Sequence, residues 1–334
     1  MKKVLALVLS LMLVISLCAV ASAEAEWHLG ILVHGLENEF WAQEANGAIL
    51  FADTHDDVDY QVMVTDGDDN KENQAIRDFI AQYGDHAIFV TDVASTANSI
   101  NAVEICEEAG CYVTVLWQHA EGLEVKDYEH FAAFLTADDF TSGYTTAKYL
   151  FDKMGGEGKV CALYGVQGED SAANRYRGFQ AALEEYPNMV LVGQQSGNFT
   201  RAEGQAVMES WLKSIDHIDV LFAQNDDMAL GAIDAIKAAG LVPGQDIIIV
   251  GCDSVKAAFD AIVAGDMNAT IECNPLYGDA VAELIKKLEA GEPGTRELLH
   301  PAEGVFCAEG GIAYDEAGEL LSVKAADVIA ERKY

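Results

Sequence analysis

Two buried strands joined by a helix are predicted between residues 219 and 253. Residues 220–222 form a short apolar run, and the polar residues 224–227 end it. Apolar residues then recur at helical spacing from 228 to 236, and a second continuous apolar run occupies residues 247–250. Strands that are apolar throughout are typical of parallel sheets covered on both faces. The segment therefore predicts a β-α-β unit.

The same alternation of strand and helix extends along the chain in two series. The first series predicts strands at 29–33, 60–65, 87–90, 112–117 and 131–135, with helices at 41–52, 71–83 and 95–108. The second predicts helices at 142–154, 172–186, 202–215 and 254–264 and strands at 159–164, 189–193 and 269–273, followed by helices at 276–288 and about 325–330. Short connections between alternating elements favour an α/β fold with doubly wound parallel sheets. Two such halves within 334 residues predict two lobes with a cleft between them.

Polar residues stand at the ends of both strands of the 219–253 unit. Asn225 follows the first apolar run, and Asp253 closes the second. In a parallel sheet, ligands bind outside the carboxyl ends of the strands, so both side chains should face one crevice. Turn-forming chemistry alone would explain either residue. Because two strand ends of one unit carry such residues, we favour a ligand site.

The first 23 residues have the pattern of a secretory signal peptide. Lys2 and Lys3 precede an apolar run at 4–20, and the small residues 21–23 follow it. We expect cleavage after residue 23 and export to the periplasm or the cell exterior. Cys18 raises lipid anchoring as an alternative, but the bulky residue before it disfavours lipoprotein processing.

The predicted mature chain is strongly acidic. Without Lys2 and Lys3 it has 18 basic and 55 acidic residues, a net charge of −37. Such a surface repels nucleic acids and anionic membranes, so neither is an expected partner. A cationic ligand remains an alternative.

Cysteine and histidine spacing gives no indication of a metal or cofactor. Six cysteines follow the signal peptide, and a local disulfide between Cys106 and Cys111 is one possibility in an oxidising compartment. The sequence contains no CxxC motif, and the acidic run 66–71 lacks the glycine and glutamate of a calcium loop. Neither a nucleophile elbow nor a phosphate-binding loop is present, so we expect no cofactor and no enzymatic activity.

Four short segments give the chain its resemblance to a known family. They are Asn38-Glu39-Phe40-Trp41, Arg175-Tyr176-Arg177-Gly178-Phe179, FAQNDDMALGA at 222–232 and VGCD at 250–253. Together they resemble a type I periplasmic solute-binding protein of the ribose, galactose and simple-sugar class, the receptor of an ABC importer. Sugar-responsive repressors share this core but need an N-terminal DNA-binding segment, whose place the predicted signal peptide occupies.

The resemblance implies two lobes that close over a ligand by hinge motion. The first lobe would comprise 27–137 plus 274–305, and the second 138–273 plus 306–334. Three crossing segments would join them near residues 138, 273–274 and 305. The implied partners are a small sugar or polyol and a membrane ABC permease, with a chemoreceptor as a second candidate, and we expect a monomer.

The resemblance also assigns site residues. Phe40 and Trp41 would form one wall of the pocket and Phe199 the opposite wall, because aromatic rings stack on the apolar faces of sugars. Polar contacts to hydroxyl groups would come from Asn38, Arg175, Asn225 and Asp253. Alternatively, Phe40 and Trp41 only staple a helix start, and Arg175 is a surface charge.

The first lobe departs from the ribose-type pattern at several positions. Trp117 and Gln118 stand where ribose-type members carry Asp-Arg, so the guanidinium is lost. Asp92 ends a strand that ends differently in those members, and Cys273 takes the place of a Gln or Asn. We therefore expect a ligand other than plain ribose, namely another sugar, a polyol or a sugar-like signal molecule. An amine bound over Trp117 is an alternative.

Overall fold

The computed structural model describes residues 25–53, 55–276, 285, 297–300, 305–308, 313–314, 320–321 and 323–328. The predicted signal peptide and Cys18 lie outside these ranges. So does the predicted helix 276–288, apart from residues 276 and 285. Among the described helices, none combines the length and the apolar character needed to cross a bilayer.

The first sheet carries the strands of the first predicted series. Its strands are β1 (Trp27–Val33), β2 (Val58–Val64), β3 (Ala87–Asp92), β4 (Tyr112–Leu116), β5 (Phe131–Ala137) and β11 (Glu297–His300), in the order β11-β5-β4-β3-β1-β2. All neighbours in it pair in parallel. The helices of this part are α1 (Glu39–Asp53), α2 (Asp69–Tyr83) and α3 (Asn98–Ala109), with short 3-10 turns at Gly84–His86 and Val125–Asp127.

The second sheet repeats this arrangement. It consists of β6 (Glu157–Tyr164), β7 (Asn188–Ser196), β8 (Val220–Ala223), β9 (Ile248–Asp253), β10 (Ala269–Glu272), β12 (Val305–Cys307) and β15 (Val323–Lys324), in the order β15-β12-β10-β9-β8-β6-β7. Only the pairing of β10 with β12 is antiparallel among these described strands. The accompanying helices are α4 (Asp139–Lys153), α5 (Asp170–Glu185), α6 (Arg201–Ser214), α7 (Asp226–Ala238), α8 (Lys256–Ala264) and α9 (Ala325–Val328). Strands β13 (Ala313–Tyr314) and β14 (Leu320–Leu321) form a separate antiparallel pair.

Both sheets reverse their strand order beside the first strand of the series, at β1/β3 and at β6/β8. Such reversals open a crevice at the carboxyl ends of the strands, where ligands bind in doubly wound folds. The central strands β3 and β8 are buried along their whole length, as their continuous apolar pattern predicts. The predicted fold class, two doubly wound α/β lobes, is confirmed.

The chain passes between the sheets more than once. It leaves the first sheet after β5, returns to it as β11, and is in the second sheet again at β12. The lobe boundaries given above stay predictions.

Close helix contacts fix the second lobe. A Cβ on Gly178 of α5 would lie 2.1 Å from the carbonyl oxygen of Phe140, and a Cβ on Gly143 of α4 would lie 2.1 Å from that of Arg175. Helices α4 and α5 can therefore touch backbone to backbone only because both positions are glycine. This contact sets the position of Arg175.

The possible disulfide is not formed. Cys106 and Cys111 are both free and buried, so the predicted alternative of a bridge at the end of α3 is wrong for this structure. Cys106 packs in the core of the first lobe beside Val103 and Val113, as a small apolar residue does.

Candidate functional site

A pocket lies between the carboxyl ends of the two sheets. Its lining residues are Asn38, Phe40, Trp41, Asp92, Trp117, Gln118, Glu169, Ser171, Arg175, Phe199, Asn225 and Asp253. Ten of the eleven predicted site residues are in this set. The eleventh, Cys273, lies behind the lining, where its Sγ is 3.2 Å from Nη2 of Arg175.

Aromatic side chains form two sides of the pocket. The rings of Phe40 and Trp117 lie 5.3 Å apart at 58°. Phe199 comes from the other lobe, and the guanidinium carbon of Arg175 lies 5.9 Å from its ring centre. Phe40 and Trp41 are each only 8 % exposed and line the cavity.

Asn38 organises the start of α1 and reaches across the cleft. Its Oδ1 accepts the backbone N–H groups of Phe40 (2.8 Å) and Trp41 (3.2 Å), as an N-cap does. Its Nδ2 donates to the carbonyl oxygen of Phe199 at 2.8 Å. Asn225 caps α7 by accepting from the N–H of Met228, and it donates to the same Phe199 oxygen at 3.0 Å. One carbonyl thus joins the amides of both lobes.

Arg175 is the buried cation of the site, not a surface charge. Its Nε donates to Asp139 at 2.8 Å, and its Nη1 donates to the carbonyl oxygen of Gln224 at 2.7 Å and to Asp253 at 3.4 Å. The side chain is 5 % exposed, so these partners replace nearly all of its water. The interpretation of Arg175 as a surface charge is wrong.

Gln118 connects the two lobes on the other side of the pocket. Its Oε1 accepts from the N–H of Asp170 at 2.7 Å, and its Nε2 donates to Glu169 at 3.3 Å and lies 3.4 Å from Ser171 Oγ. The N–H of His119 donates to Asp170 at 3.0 Å. A neutral amide can donate and accept at once, which the guanidinium of an arginine cannot. The lobes are therefore in contact on both sides of the pocket.

Three lining residues have backbone torsions in the left-handed region. The φ angles are +61° at Trp117, +58° at Phe199 and +112° at Asp253. Each such torsion costs a residue with a side chain roughly 1–3 kcal/mol, and such costs concentrate at ligand sites. The torsions lie at or shortly after the ends of β4, β7 and β9, where the chain turns at the edge of the cleft.

Burial changes the acid–base character of the pocket. It raises the pKa of Asp253 to about 8, although Arg175 opposes the rise. The pKa of Glu169 also rises to about 8, mainly through burial and against the effect of His34. Burial raises the pKa of Asp92 to about 6. Near neutral pH Asp253 and Glu169 therefore both donate and accept hydrogen bonds, whereas Asp92 mainly accepts them, and this combination suits a ligand rich in hydroxyl groups.

Sequence reasoning missed Glu169 and Ser171. Glu169 ends the connection between β6 and α5 and Ser171 lies in the first turn of α5, at the carboxyl edge of the second sheet. The strand-end argument that singled out Asn225 and Asp253 applies equally to β6. In a sequence with 55 acidic residues, however, a single glutamate in a loop does not stand out.

Comparison with known proteins identifies the family. The family model described as "Periplasmic binding protein domain" matches residues 29–293. The chain belongs to the periplasmic binding protein family. Membership implies export and a periplasmic location.

Several relatives resemble this periplasmic binding protein over most of their length. The galactofuranose-binding protein of Escherichia coli K12 is 34 % identical over 232 residues, covering 68 % of this chain and 71 % of the relative. The ribose import binding protein of Haemophilus influenzae is 31 % identical over 295 residues, covering 87 % and 95 %. Both are binding proteins rather than enzymes.

Solved structures agree with this assignment. A Mycobacterium smegmatis protein in complex with β-D-fucofuranose is 33 % identical, with a TM-score of 0.76 over 84 % of this chain and 91 % of that one. The arabinose-transporter binding protein of Shewanella sp. ANA-3, bound to α- and β-L-arabinofuranose, is 26 % identical, with a TM-score of 0.78 over 92 % and 95 %.

One group of metal-ligating side chains lies away from the pocket of this periplasmic binding protein. Glu107, Glu129 and His130 come together where α3 ends and β5 begins, at the opposite edge of the first sheet. The carboxylate of Glu107 already accepts the backbone N–H groups of Glu129 and His130. These contacts account for the cluster without an ion.

Proposed function

We propose that this protein is an extracytoplasmic receptor that captures a sugar or a related polyol between its lobes and delivers it to an ABC permease. The pocket carries the proposal, since it combines aromatic walls with amide, carboxyl and guanidinium groups from both lobes. Aromatic faces suit the C–H surfaces of a sugar, and the polar groups suit its hydroxyls. Ten of the eleven predicted site residues are proposed to contact the ligand. The eleventh, Cys273, is proposed to hold the guanidinium of Arg175 in place.

The five-membered ring form of a sugar is the proposed ligand class. Support comes from the relatives, because one is named for galactofuranose and two similar structures hold fucofuranose and arabinofuranose. The first lobe supports it as well, since Trp117 and Gln118 depart from the ribose-type pattern.

Closure and docking complete the proposal. A ligand that contacts both lobes favours the closed arrangement, which the permease would recognise. The lobes are proposed to comprise 27–137 plus 274–305 and 138–273 plus 306–334. We propose a monomer, released by cleavage after residue 23 without a lipid anchor at Cys18, with a chemoreceptor as a second docking partner.

A thermal-shift screen of the mature protein tests the proposal. The probes are L-arabinose, D-galactose, D-fucose, D-ribose and myo-inositol, with choline as the amine control. A ligand at a hundred times its Kd stabilises the fold by about 2.7 kcal/mol, so a true ligand raises Tm clearly. NMR of the bound ¹³C-labelled sugar should show the furanose form and no product. A larger shift with choline, or a bound pyranose, would contradict the proposed ligand class.

A further inference from the structure

Glu44 is a buried acid beside the ligand pocket that the proposed function does not use. It lies one helical turn after Trp41 on the inner face of α1, which also carries Ala45 and Ala48, and it is 3 % exposed. Its Oε1 accepts a hydrogen bond from the indole Nε1–H of Trp117. An acid so deeply buried needs a compensating partner for its charge or must keep its proton.

The second oxygen of Glu44 is directed towards Asp92. Glu44 Oε2 and Asp92 Oδ1 are both buried without a partner among the described donors, and a side-chain hydrogen bond with Glu44 acts on the carboxyl group of Asp92. Two ionised carboxylates have only acceptors, so such a bond requires one proton between them. We assign that proton to Glu44, because burial raises its pKa well above the usual value, whereas the pKa of Asp92 rises only to about 6.

The surrounding charges favour retention of this proton. Glu44 faces Asp92, Asp253 and Glu169, and burial together with these acids raises its pKa well above 4.5. Asp92 faces His34 and Glu72 as well, with His34 Nε2 3.9 Å from its Oδ2. The positive charge that His34 can carry is therefore smaller than the negative charge that the neighbouring acids can carry, so a proton on Glu44 is favoured.

We propose that Glu44 is a positioning residue of the pocket: its carboxyl group fixes the indole of Trp117 and shares a single proton with Asp92. The indole is thereby held against Phe40 despite the left-handed backbone of Trp117. Asp92 is left with a defined acceptor role towards a ligand. The proposal relies on the proposed function only in treating this cavity as the ligand site.

A titration without ligand tests the proton directly. Tryptophan emission of the full mature chain is followed from neutral to alkaline pH in the wild type, Glu44→Gln, Trp117→Phe and Trp211→Phe. Glutamine keeps one acceptor for the indole and one donor for Asp92 but carries no titratable proton. Asp253 and Glu169, with pKa values of about 8, contribute to the emission change of every variant. We expect a further component in the wild type and in Trp211→Phe, whose ring lies in α6 of the other lobe, that is lost in both Glu44→Gln and Trp117→Phe.

Stability against pH gives a second readout. Because the folded pKa of Glu44 is above the unfolded value of 4.5, the folded wild type retains a proton that the unfolded chain releases. Wild-type stability is therefore lost as pH rises from 4.5 towards the folded pKa, whereas Glu44→Gln escapes this loss. The Tm of Glu44→Gln relative to wild type should rise with pH.

Two results would overturn the proposal. One is a titration of Trp117 emission that persists unchanged in Glu44→Gln. The other is a Tm difference between Glu44→Gln and wild type that is the same at every pH, as expected for a residue that only fills space. If Glu44→Gln does not fold, ¹³C NMR of the glutamate-labelled wild type and of Glu169→Gln decides, since a side-chain carboxyl other than that of Glu169, whose pKa is about 8, must keep its proton at neutral pH. None of these measurements needs the sugar, so they stand apart from failure of the ligand screen.

Discussion

Replacing Arg175 by methionine should be among the most damaging single changes in the chain. Methionine has a similar volume, but the change leaves the carboxylate of Asp139, which is 4 % exposed, without its cation. Removing one partner of a buried ion pair typically costs about 3–5 kcal/mol, because the remaining charge stays buried. We expect a loss of this size in the free energy of unfolding at neutral pH, together with weaker sugar binding.

The loss should depend on pH in a defined direction. Burial already raises the pKa of Asp139 and Asp253 above their usual 3.8, with Arg175 opposing the rise. Without Arg175 both folded pKa values rise further, so the variant matches the wild type best at low pH and loses stability relative to it as pH rises through the wild-type pKa of each group, which is about 8 for Asp253. Urea unfolding of wild type and variant across this range measures the difference.

A double variant separates the charge effect from a packing effect. Arg175→Met with Asp139→Asn removes the uncompensated carboxylate and should recover part of the lost stability at neutral pH. A single variant within about 1 kcal/mol of wild type would contradict the argument. So would a double variant no more stable than the single one.

Two further changes test the cleft and the helix packing. Asn38→Ala should lower stability by about 1 kcal/mol through loss of the cap of α1, and it should also weaken sugar binding, because the bond to Phe199 is lost. Asp68→Ala removes the cap of α2 far from the pocket, so it should lower stability by a similar amount without changing the affinity for the sugar. Calorimetry with the identified sugar compares the affinities of these two variants. Gly178→Ala should cost about 1–3 kcal/mol in urea unfolding, because its Cβ would lie 2.1 Å from a carbonyl oxygen; a wild-type midpoint would refute the close contact of α4 and α5.

The strands and their polar ends could be predicted from the sequence because both follow local patterns. Continuous apolar runs indicated β8 and β9, and Asn225 and Asp253 stand directly at or after their ends. The ends of helices were less accurate: α3 starts at Asn98 instead of residue 95, and α5 starts at Asp170 instead of residue 172. Capping and tertiary contacts shift such boundaries by a few residues.

The buried acids could not be predicted with the same ease. Asp226 is fully buried, where its carboxyl group accepts from Thr270 Oγ1 at 2.7 Å and from the N–H of Val255 at 3.0 Å. These partners come from strands and loops distant in sequence, and no local pattern announces them. Glu44 did leave a local signal, because it shares helical spacing with Trp41 and Ala48 on the inner face of α1.

The polar lining of the pocket depends on contact between the two lobes, as the contacts of Gln118 show. The sequence indicated the loss of an arginine at Gln118, which would leave this lobe's side of the pocket without a lysine or arginine. In the folded protein Gln118 instead contacts Glu169 and Ser171 of the second lobe, and both residues line the cavity. These groups meet only when the lobes are together, so an open form offers a ligand an incomplete set of partners. The free energy of closing the lobes therefore contributes to the free energy of ligand binding. A change that weakens the Gln118 contacts should lower the affinity for the ligand even if it does not alter the aromatic walls.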